Sequence, residues 1–387
     1  MKKHITVSIL GTLPPIRALS SYCFELTQAL AQICSVEFLS FKKIYPAFLY
    51  PGGKPDDDYT YPEIKDPNIH IRRRLTWYNP LSWLSEGLTA TSDLLHAQWW
   101  SMPLFPVYMI VCVCFKFKKK PVIFTVHNVL SHEKSRIFFL LSKMLFTLGD
   151  HFIVHSSLNK QQLKTHYGLA DHQISIIPHG SLDFHVKSGT VDRLTLRKQF
   201  GLTPENKVIL IFGAIRPYKG LDTAIRAFAQ TIATLPDARL LIAGRLWEDW
   251  GPYERLIRES RIEPQVITHL DYIPSGDVHQ FFDVADLCLF PYHHFDSQSG
   301  AAAAALSFRK PMIVTEVGGL PELVSDRRFI IEPANSKALA EAVIGCLQDP
   351  AILSRMASDA ETISGKFAWS GIAEQTAIIY QQMLKQL

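Results

Sequence analysis

Residues Lys207–Ala229 read KVILIFGAIRPYKGLDTAIRAFA. The stretch opens with a continuous apolar run, Val208 to Phe212, bounded by Lys207 and closed by Gly213. A short run of β-branched and aromatic residues without polar alternation is the pattern of a strand buried in a parallel sheet. A turn follows that carries two cations, Arg216 and Lys219, around Pro217 and ends at Gly220. Beyond it Leu221, Ala224, Ile225 and Phe228 recur at helical spacing, with Asp222 where a first-turn carboxylate favours the helix start. Strand, cationic turn and helix is the arrangement by which α/β proteins hold phosphate outside the carboxyl ends of their strands. On this stretch alone, an ordinary strand-to-helix turn with solvated Arg and Lys reads the same way. The Walker spacing Gly-x4-Gly-Lys-Ser/Thr is absent, and so is Gly-x-Gly-x-x-Gly.

A second half comes some eighty residues on. Asp286–Phe290 reads as a strand and runs into Pro291-Tyr292-His293-His294-Phe295-Asp296. Ser297-Gln298-Ser299-Gly300 then opens an Ala-rich helix, Ala301–Ser307. Two point charges from one turn and the amides of a helix start make a clamp for a diphosphate. Around these lie a helix at Leu194–Phe200, a strand at Arg239–Ala243 ending in Gly244-Arg245, and a strand at Val266–His269 before Tyr272-Ile273-Pro274-Ser275. A helix at Val278–Val284 and a strand at Pro311–Thr315 with Val317-Gly318-Gly319-Leu320-Pro321-Glu322 behind it continue the series. From Ser336 to Leu387 the chain is mostly amphipathic helix.

Upstream, a first α/β series precedes a linker near Ser181–Val191. Ile5–Leu10 is its first strand, followed by the loop Gly11-Thr12-Leu13-Pro14-Pro15. Ser20 and Ser21 are placed to cap a helix over Tyr22–Ile33. Val36–Phe41 is a second strand, Pro51–Asp58 a loop, and Ile69–Leu75, with Arg72-Arg73-Arg74, a solvated edge strand. Asp93–Trp100, Pro121–Val126, Asp150–Val154 and Ile174–Ile177 are strands that end in polar or aromatic residues, three of them at His127, His155 and His179. A functional edge at the carboxyl ends accounts for this economically. A single such His alone reads rather as a hydrogen-bonded core residue, and no His-Glu-x-x-His spacing marks a metal site. Ile137–Leu148 is an apolar helix.

Length and composition bound the rest. The 387 residues suffice for two or three domains at roughly 150 residues each. Hydrophobic content of 47% with 20% charged residues describes a globular enzyme rather than a disordered chain. Through Thr190 the chain has 20 Lys and Arg against 13 Asp and Glu, a net +7, and the remainder is −3. A basic first half suggests an anionic surface as its partner. Leu104–Phe115 followed by Lys116-Phe117-Lys118-Lys119-Lys120 has two readings. One is a monotopic segment at an anionic membrane, the other a buried crossover helix with a basic exit; twelve apolar residues do not span a bilayer. Six Cys without a Cys-x-x-Cys pair read as buried free thiols of a reducing compartment. The start, MKKHITVSILGTLPP, lacks a small-x-small cleavage site and reads as a strand rather than a signal peptide.

The motifs Phe212–Gly220, Lys310-Pro311-Met312-Ile313-Val314-Thr315 and Val317–Val324, with Thr125–Glu133 and Ile177-Pro178-His179-Gly180, resemble those of the family-four, group 1 glycosyltransferases. The resemblance covers nearly the whole chain. It implies an α/β fold of two doubly wound Rossmann-like domains facing a cleft, the GT-B fold. The acceptor domain would span 1–185, with a C-terminal helix at about 370–387 packing back on it, and the donor domain 186–369. It implies a metal-independent, mostly retaining transferase for which the nucleotide-sugar is a substrate and no cofactor is needed. His127, Arg216, Lys219 and Asp296 would serve the chemistry. Gly11, Gly213, Arg245, Ile273, Pro274, Gln298, Ser299, Gly300 and Glu322 would meet the donor, and Asn128, His132, His155 and His179 the acceptor side. The expected partners are a nucleotide-sugar, a glycan or lipid-linked acceptor and an anionic membrane surface, without nucleic acid. The expected place is cytoplasmic, on the inner face of the cell membrane.

The chain departs from the family at its Glu-x7-Glu pair. Counting back from Lys310 puts Asp296 at the first position and Ala304 at the second, which in the family commonly holds the ribose. The arginine stands three residues before Lys219 where the family more often has it five before. Two functions stay open, a transferase building a cell-surface polysaccharide and a catalytically degenerate subunit that binds a partner or nucleotide; a nucleotide-sugar epimerase of the same fold is a third reading, against which the motifs follow the transferases. Retention and inversion both remain open; an inverting reaction would take His127 or His132 as base.

Overall fold

The run Val208–Phe212 is a strand at the centre of a sheet, and the chain folds around two such sheets. The computed structural model describes residues 5–17, 19–46, 49, 57–130, 136–186 and 191–385. These divide into two compact units, one of Met1–Gly180 with Phe367–Leu387 and one of Ser181–Lys366.

Unit 1 runs β1 (Thr6–Leu10), α1 (Ser20–Ala31), β2 (Ser35–Lys43), β3 (Ile69–Thr76), α2 (Pro80–Thr89), β4 (Leu94–Trp99), α3 (Phe105–Phe117), β5 (Val122–Val126), α4 (Arg136–Phe146), β6 (His151–Val154), α5 (Ser157–Tyr167) and β7 (Ile174–Ile176). The strands form one parallel sheet in the order β3-β2-β1-β4-β5-β6-β7. The order reverses between β1 and β4, and there a doubly wound sheet opens a crevice at its carboxyl edge. Unit 2 runs α6 (Asp183–Val186), α7 (Arg193–Gln199), β8 (Lys207–Phe212), α8 (Leu221–Ile232), β9 (Ala238–Ala243), α9 (Gly251–Glu259), β10 (Val266–His269), α10 (Val278–Val284), β11 (Leu287–Phe290), α11 (Gly300–Ser307), β12 (Met312–Thr315), β13 (Ile330–Ile331), α12 (Ser336–Gln348) and α13 (Pro350–Lys366). Its parallel sheet has the order β10-β9-β8-β11-β12-β13, so its switch point lies between β8 and β11. The turns after those two strands are the Arg216–Lys219 turn and the loop into Ser299. Topology alone therefore brings the two halves of the expected clamp together.

The last helix, α14 (Trp369–Lys385), belongs to unit 1 and packs on α1. It is fixed from within: the Tyr380 hydroxyl lies 2.6 Å from His96 Nδ1, and His96 Nε2 lies 2.7 Å from Thr125 Oγ1. All six cysteines are buried and unbridged.

Four local expectations are corrected. Ser20 and Ser21 do not cap α1, whose N-cap is Leu19; Ser20 donates to the Ile16 carbonyl and Ser21 bonds the Tyr61 hydroxyl. Arg72 is not solvated. It is buried between Glu37 at 2.7 Å and Glu86 at 2.8 Å, because its side chain points to the face of the edge strand that α2 covers. The 181–191 linker contains the short helix α6. The lysines at the end of α3 and just after it are largely spent inside unit 1: Lys118 donates to the carbonyls of Gly87 and Ala90, Lys120 to those of Thr91 and Ser92, and Lys116 pairs with Asp150 at 2.7 Å. Helix α3 itself buries Val107, Tyr108, Val111, Cys112 and Phe115, so it is a core crossover helix. Many of the apolar side chains that unit 1 leaves exposed lie on three neighbouring helices: Leu81, Leu84 and Leu88 on α2, Val113 and Phe117 on α3, Ile137, Leu140 and Met144 on α4. Lys119, Arg136 and Lys143 are exposed among them. Among the described residues no helix is long and apolar enough to cross a membrane.

Candidate active site

The unit 2 site begins with Gly220. It ends the cationic turn in the left-handed region, φ 67°, and a Cβ there would stand 1.9 Å from the Pro291 carbonyl oxygen. Only glycine lets the turn after β8 lie this close to the loop after β11. The two are laced further by His293 N donating to the Tyr218 carbonyl at 2.7 Å, and by His293 Nε2 2.9 Å from Thr223 Oγ1. The Tyr218 ring stacks on Phe295 at 5.7 Å, next to Asp296, which is exposed.

Lys219 is held across this junction. A Cβ at Gly213 would meet its Nζ at 2.9 Å and the Ala301 Cβ at 3.3 Å, so the ammonium sits beside the first turn of α11. Tyr292 lies under it, ring centroid 5.5 Å away. Among the described residues no carboxylate pairs with this half-buried cation. Burial, then the charge of Arg216, pushes its pKa down to about 7. Arg216 lies over the Trp247 ring at 3.7 Å, a support for which no sequence signal exists.

Helix α11 presents its amino end here. Ser299 is its N-cap, accepting from Ala302 N at 3.3 Å and bonded to the Tyr292 hydroxyl at 2.9 Å. Among the described residues the amides of Gly300 and Ala301 carry no hydrogen bond, and the space beyond Gly300 is open. Two free amides at a helix start, beside a half-buried cation that no described carboxylate pairs, suit an anion. Gln298 donates to Glu322 at 3.1 Å, and burial raises the pKa of the Glu322 carboxyl. The Gly318-Gly319 turn braces this loop, Gly319 N donating to the Ser297 carbonyl at 3.0 Å. Arg245 is half-buried after β9, and Ile273 is buried beside half-buried Pro274. Ala304 is 2% exposed, one turn into α11.

In unit 1 the polar strand ends gather under the start of α1. His127 and His155 ring centroids lie 4.9 Å apart, His155 and His179 5.3 Å, and Tyr22 stands 4.6 Å from His127. Trp369 of α14 covers Tyr22 at 5.2 Å. Burial pushes His155 down to about 3 and His179 to about 4, and holds His127 well below its ordinary value. The cluster is neutral. Its nitrogens turn to one another, to Gln98 and to backbone, and among the described residues no group of ligands converges as a metal site would require. Asn128 donates to the Trp100 carbonyl at 3.0 Å. Gly11 is buried against Cys23 and Gln98 at the switch point of this sheet, and His132 lies outside the described residues. A cleft of about 340 Å³ opens beside β3 and the loop after β1, lined by Pro14, Phe24, Asp58, Tyr61, Glu63 and Arg73 among others.

Comparison with known proteins agrees with this layout. Residues 192–362 match the family described as glycosyl transferases group 1, and residues 19–181 match glycosyltransferase family 4. D-inositol 3-phosphate glycosyltransferase of Corynebacterium glutamicum is 27% identical over 63% of this chain and 60% of its own length. The same enzyme of Corynebacterium aurimucosum is 26% identical over 62% and 59%. The chain thus spans about three fifths of the curated relatives it matches. Among solved structures, sucrose-phosphate synthase from Thermosynechococcus elongatus superposes with a TM-score of 0.74 at 18% identity, over 99% of this chain and all of that one. Anabaena HepE, solved with UDP and glucose, gives 0.73 at 18% over 98% of this chain and all of that one. These likenesses establish the fold, two Rossmann-like units of the GT-B kind.

Proposed function

Because the chain belongs to the group 1 glycosyltransferases, we propose that it moves a glycosyl group from a nucleotide-diphosphate-sugar bound by unit 2 to a glycan acceptor bound by unit 1. The observation that carries this is Lys219, a half-buried cation without a counter-charge beside two free amides of α11. A diphosphate supplies what both lack. As the bond from the anomeric carbon to the diphosphate oxygen breaks, negative charge grows on that oxygen. Lys219, Arg216 and the Gly300 and Ala301 amides are placed to neutralise it, typically the largest electrostatic contribution to such a step. Asp296 serves near the donor sugar, and His127 accepts a hydrogen bond from a substrate hydroxyl. For retention the departing phosphate takes the acceptor proton and no protein nucleophile is needed. The neutralising charge comes from side chains, so no metal or cofactor is invoked.

The acceptor is read as lipid-linked and the enzyme as a cytoplasmic protein resting on an anionic membrane. The support is the outward apolar row of α2, α3 and α4 with its interspersed cations. The unit 1 cleft, with Tyr61 for a sugar face and Asp58 and Glu63 for hydroxyls, suits the glycan end of such an acceptor. A second reading, a degenerate subunit that binds nucleotide without transfer, rests on Ala304 standing buried where the family commonly carries a carboxylate. A panel of nucleotide-sugars, followed by slow hydrolysis and by titration with nucleoside diphosphates, separates the two. UDP and UDP-glucose come first because HepE binds them. Binding with hydrolysis of one donor supports the transferase, binding without hydrolysis the degenerate subunit, and no binding sinks both.

A further inference from the structure

The histidines of unit 1 form a chain whose direction can be read. A neutral imidazole has one nitrogen that donates and one that accepts. A backbone carbonyl only accepts. His155 Nδ1 lies 2.9 Å from the Ile177 carbonyl oxygen, so it carries the hydrogen and donates there. Its Nε2 is then a lone pair, 3.1 Å from His127 Nδ1, and His127 must donate through Nδ1. That leaves His127 Nε2 as the accepting nitrogen, 3.0 Å from the Gln98 side-chain amide. Gln98 meets it by turning its amide nitrogen inward. The same turn gives a partner to a nitrogen that otherwise lies buried without one. The opposite direction fails at its far end. It would leave a bare His155 Nδ1 against a carbonyl, two lone pairs in contact, or require a charged imidazolium in a site 1% exposed.

We infer that His155, through the Ile177 carbonyl, is a positioning residue that fixes His127 in the Nδ1–H tautomer, with Nε2 as a hydrogen-bond acceptor. Burial keeps both rings neutral, which the alternation of donor and acceptor requires. His155 is too deeply buried to meet a substrate itself. Its effect passes through His127: a hydroxyl that displaces Gln98 from Nε2 finds a lone pair and can donate to it. A residue that fixes a ligand's or base's tautomer from behind is a familiar device of histidine sites. The consequence for activity rests on the role given to His127 above, whereas the tautomer does not.

Two measurements test this on the full-length protein. Nitrogen-15 labelling of the histidine rings and long-range proton–nitrogen correlation report the tautomer of His127 without ligand. The expected result is Nδ1–H for both His127 and His155 in the parent. His155→Phe keeps ring volume and removes the acceptor, so His127 should shift towards Nε2–H. Gln places an oxygen near the lost Nε2, so His155→Gln should retain Nδ1–H. With the donor chosen by the panel, kcat should fall about tenfold to a hundredfold in His155→Phe, with KM for the donor little changed. His155→Gln should recover most of it. A parent His127 protonated at Nε2 overturns the inference, as does His155→Phe with unchanged tautomer and rate. Should His155→Phe fail to fold, the parent spectrum and His155→Gln decide. Full activity of His127→Ala would remove His127 from catalysis and leave the tautomer result standing.

Discussion

In the proposed donor site Lys219 is the central cation, and its surroundings give it a pH dependence of definite sign. With its pKa near 7 in the empty site, it is charged below that pH and neutral above. A bound diphosphate raises that pKa, so above pH 7 binding must draw a proton from solution. Affinity for UDP should therefore fall from pH 7.5 to 9, by at most tenfold per unit, and calorimetry in buffers of different ionisation heat should register the uptake. Affinity flat over that range would show the ammonium charged throughout. Lys219→Ala should bind UDP without that pH slope and lose roughly 3–4 kcal/mol of transition-state stabilisation, about 10²–10³ in rate. Near-normal turnover would remove it from the mechanism. Asp296 and Ala304 separate differently. Asp296 is exposed beside the Tyr218–Phe295 stack, so Asp296→Asn should cost activity and leave melting and UDP affinity nearly unchanged. Ala304 is buried in a helix of alanines, and Ala304→Glu should lower stability by forcing volume and charge into a packed site. Tighter UDP binding by Ala304→Glu without loss of melting temperature would show that a pocket for the carboxylate exists.

At the scale of elements, strands and turns were the legible part of the sequence, because their signals are local. Val208–Phe212 could be read as buried from five residues, and Gly220 from its place after Lys219. That the turn after β8 and the loop into Ser299 lie together was legible because both follow strands, and a parallel sheet aligns strand ends. What stayed hidden depends on contacts far apart in sequence. Arg72 looked solvated within its Arg triplet, yet Glu37 and Glu86 lie across neighbouring elements. Trp247 gave no sign that it would carry Arg216, and no spacing links His155 to His127. Helix α2 was missed although Asn79 caps it and Pro80 stands at its first position, a start signal overshadowed by the aromatic run before it. The lysines after α3 illustrate the limit most plainly: a run that looks like a membrane anchor mostly bonds carbonyls of α2 and the loop after it. The membrane reading moves accordingly to the outward row of the three helices. Phe117 is 83% exposed on α3 and Leu140 62% on α4. Phe117→Glu with Leu140→Glu should abolish sedimentation with anionic vesicles and leave melting unchanged, and parent binding should weaken as salt rises. Parent protein that ignores vesicles of either charge would end the membrane reading.

At the scale of the molecule, the two units have separate cores and different chemistry, and heat and acid should tell them apart. The chain crosses between them twice, after Gly180 and before Phe367, and α14 closes unit 1 by the Tyr380–His96 bond and the Trp369 cover. Among the described residues the histidines that burial drives down, His96, His127, His151, His155 and His179, lie in unit 1. Their folded pKa values, about 3 to 4 where a value is defined, are below the unfolded value of 6.5. Between those limits the unfolded chain binds more protons than the folded one. Stability is thus complete above pH 6.5 and declines as pH falls through the window, by roughly 1.4 kcal/mol per unit for each histidine. At pH 5.5 several such groups together should pull the unit 1 transition down by many degrees. If unit 2 binds the donor as proposed, it answers to ligand instead, since a nucleoside diphosphate at 100 times its Kd adds about 2.7 kcal/mol to the unit that binds it. Calorimetric scans should therefore resolve two transitions, one lowered by acid and indifferent to UDP, the other raised by UDP and much less sensitive to acid. His96→Gln should blunt the acid response of the first alone. A single transition that both UDP and acid move would mean that the units unfold as one, and the assignment of acid sensitivity to unit 1 would fall with it.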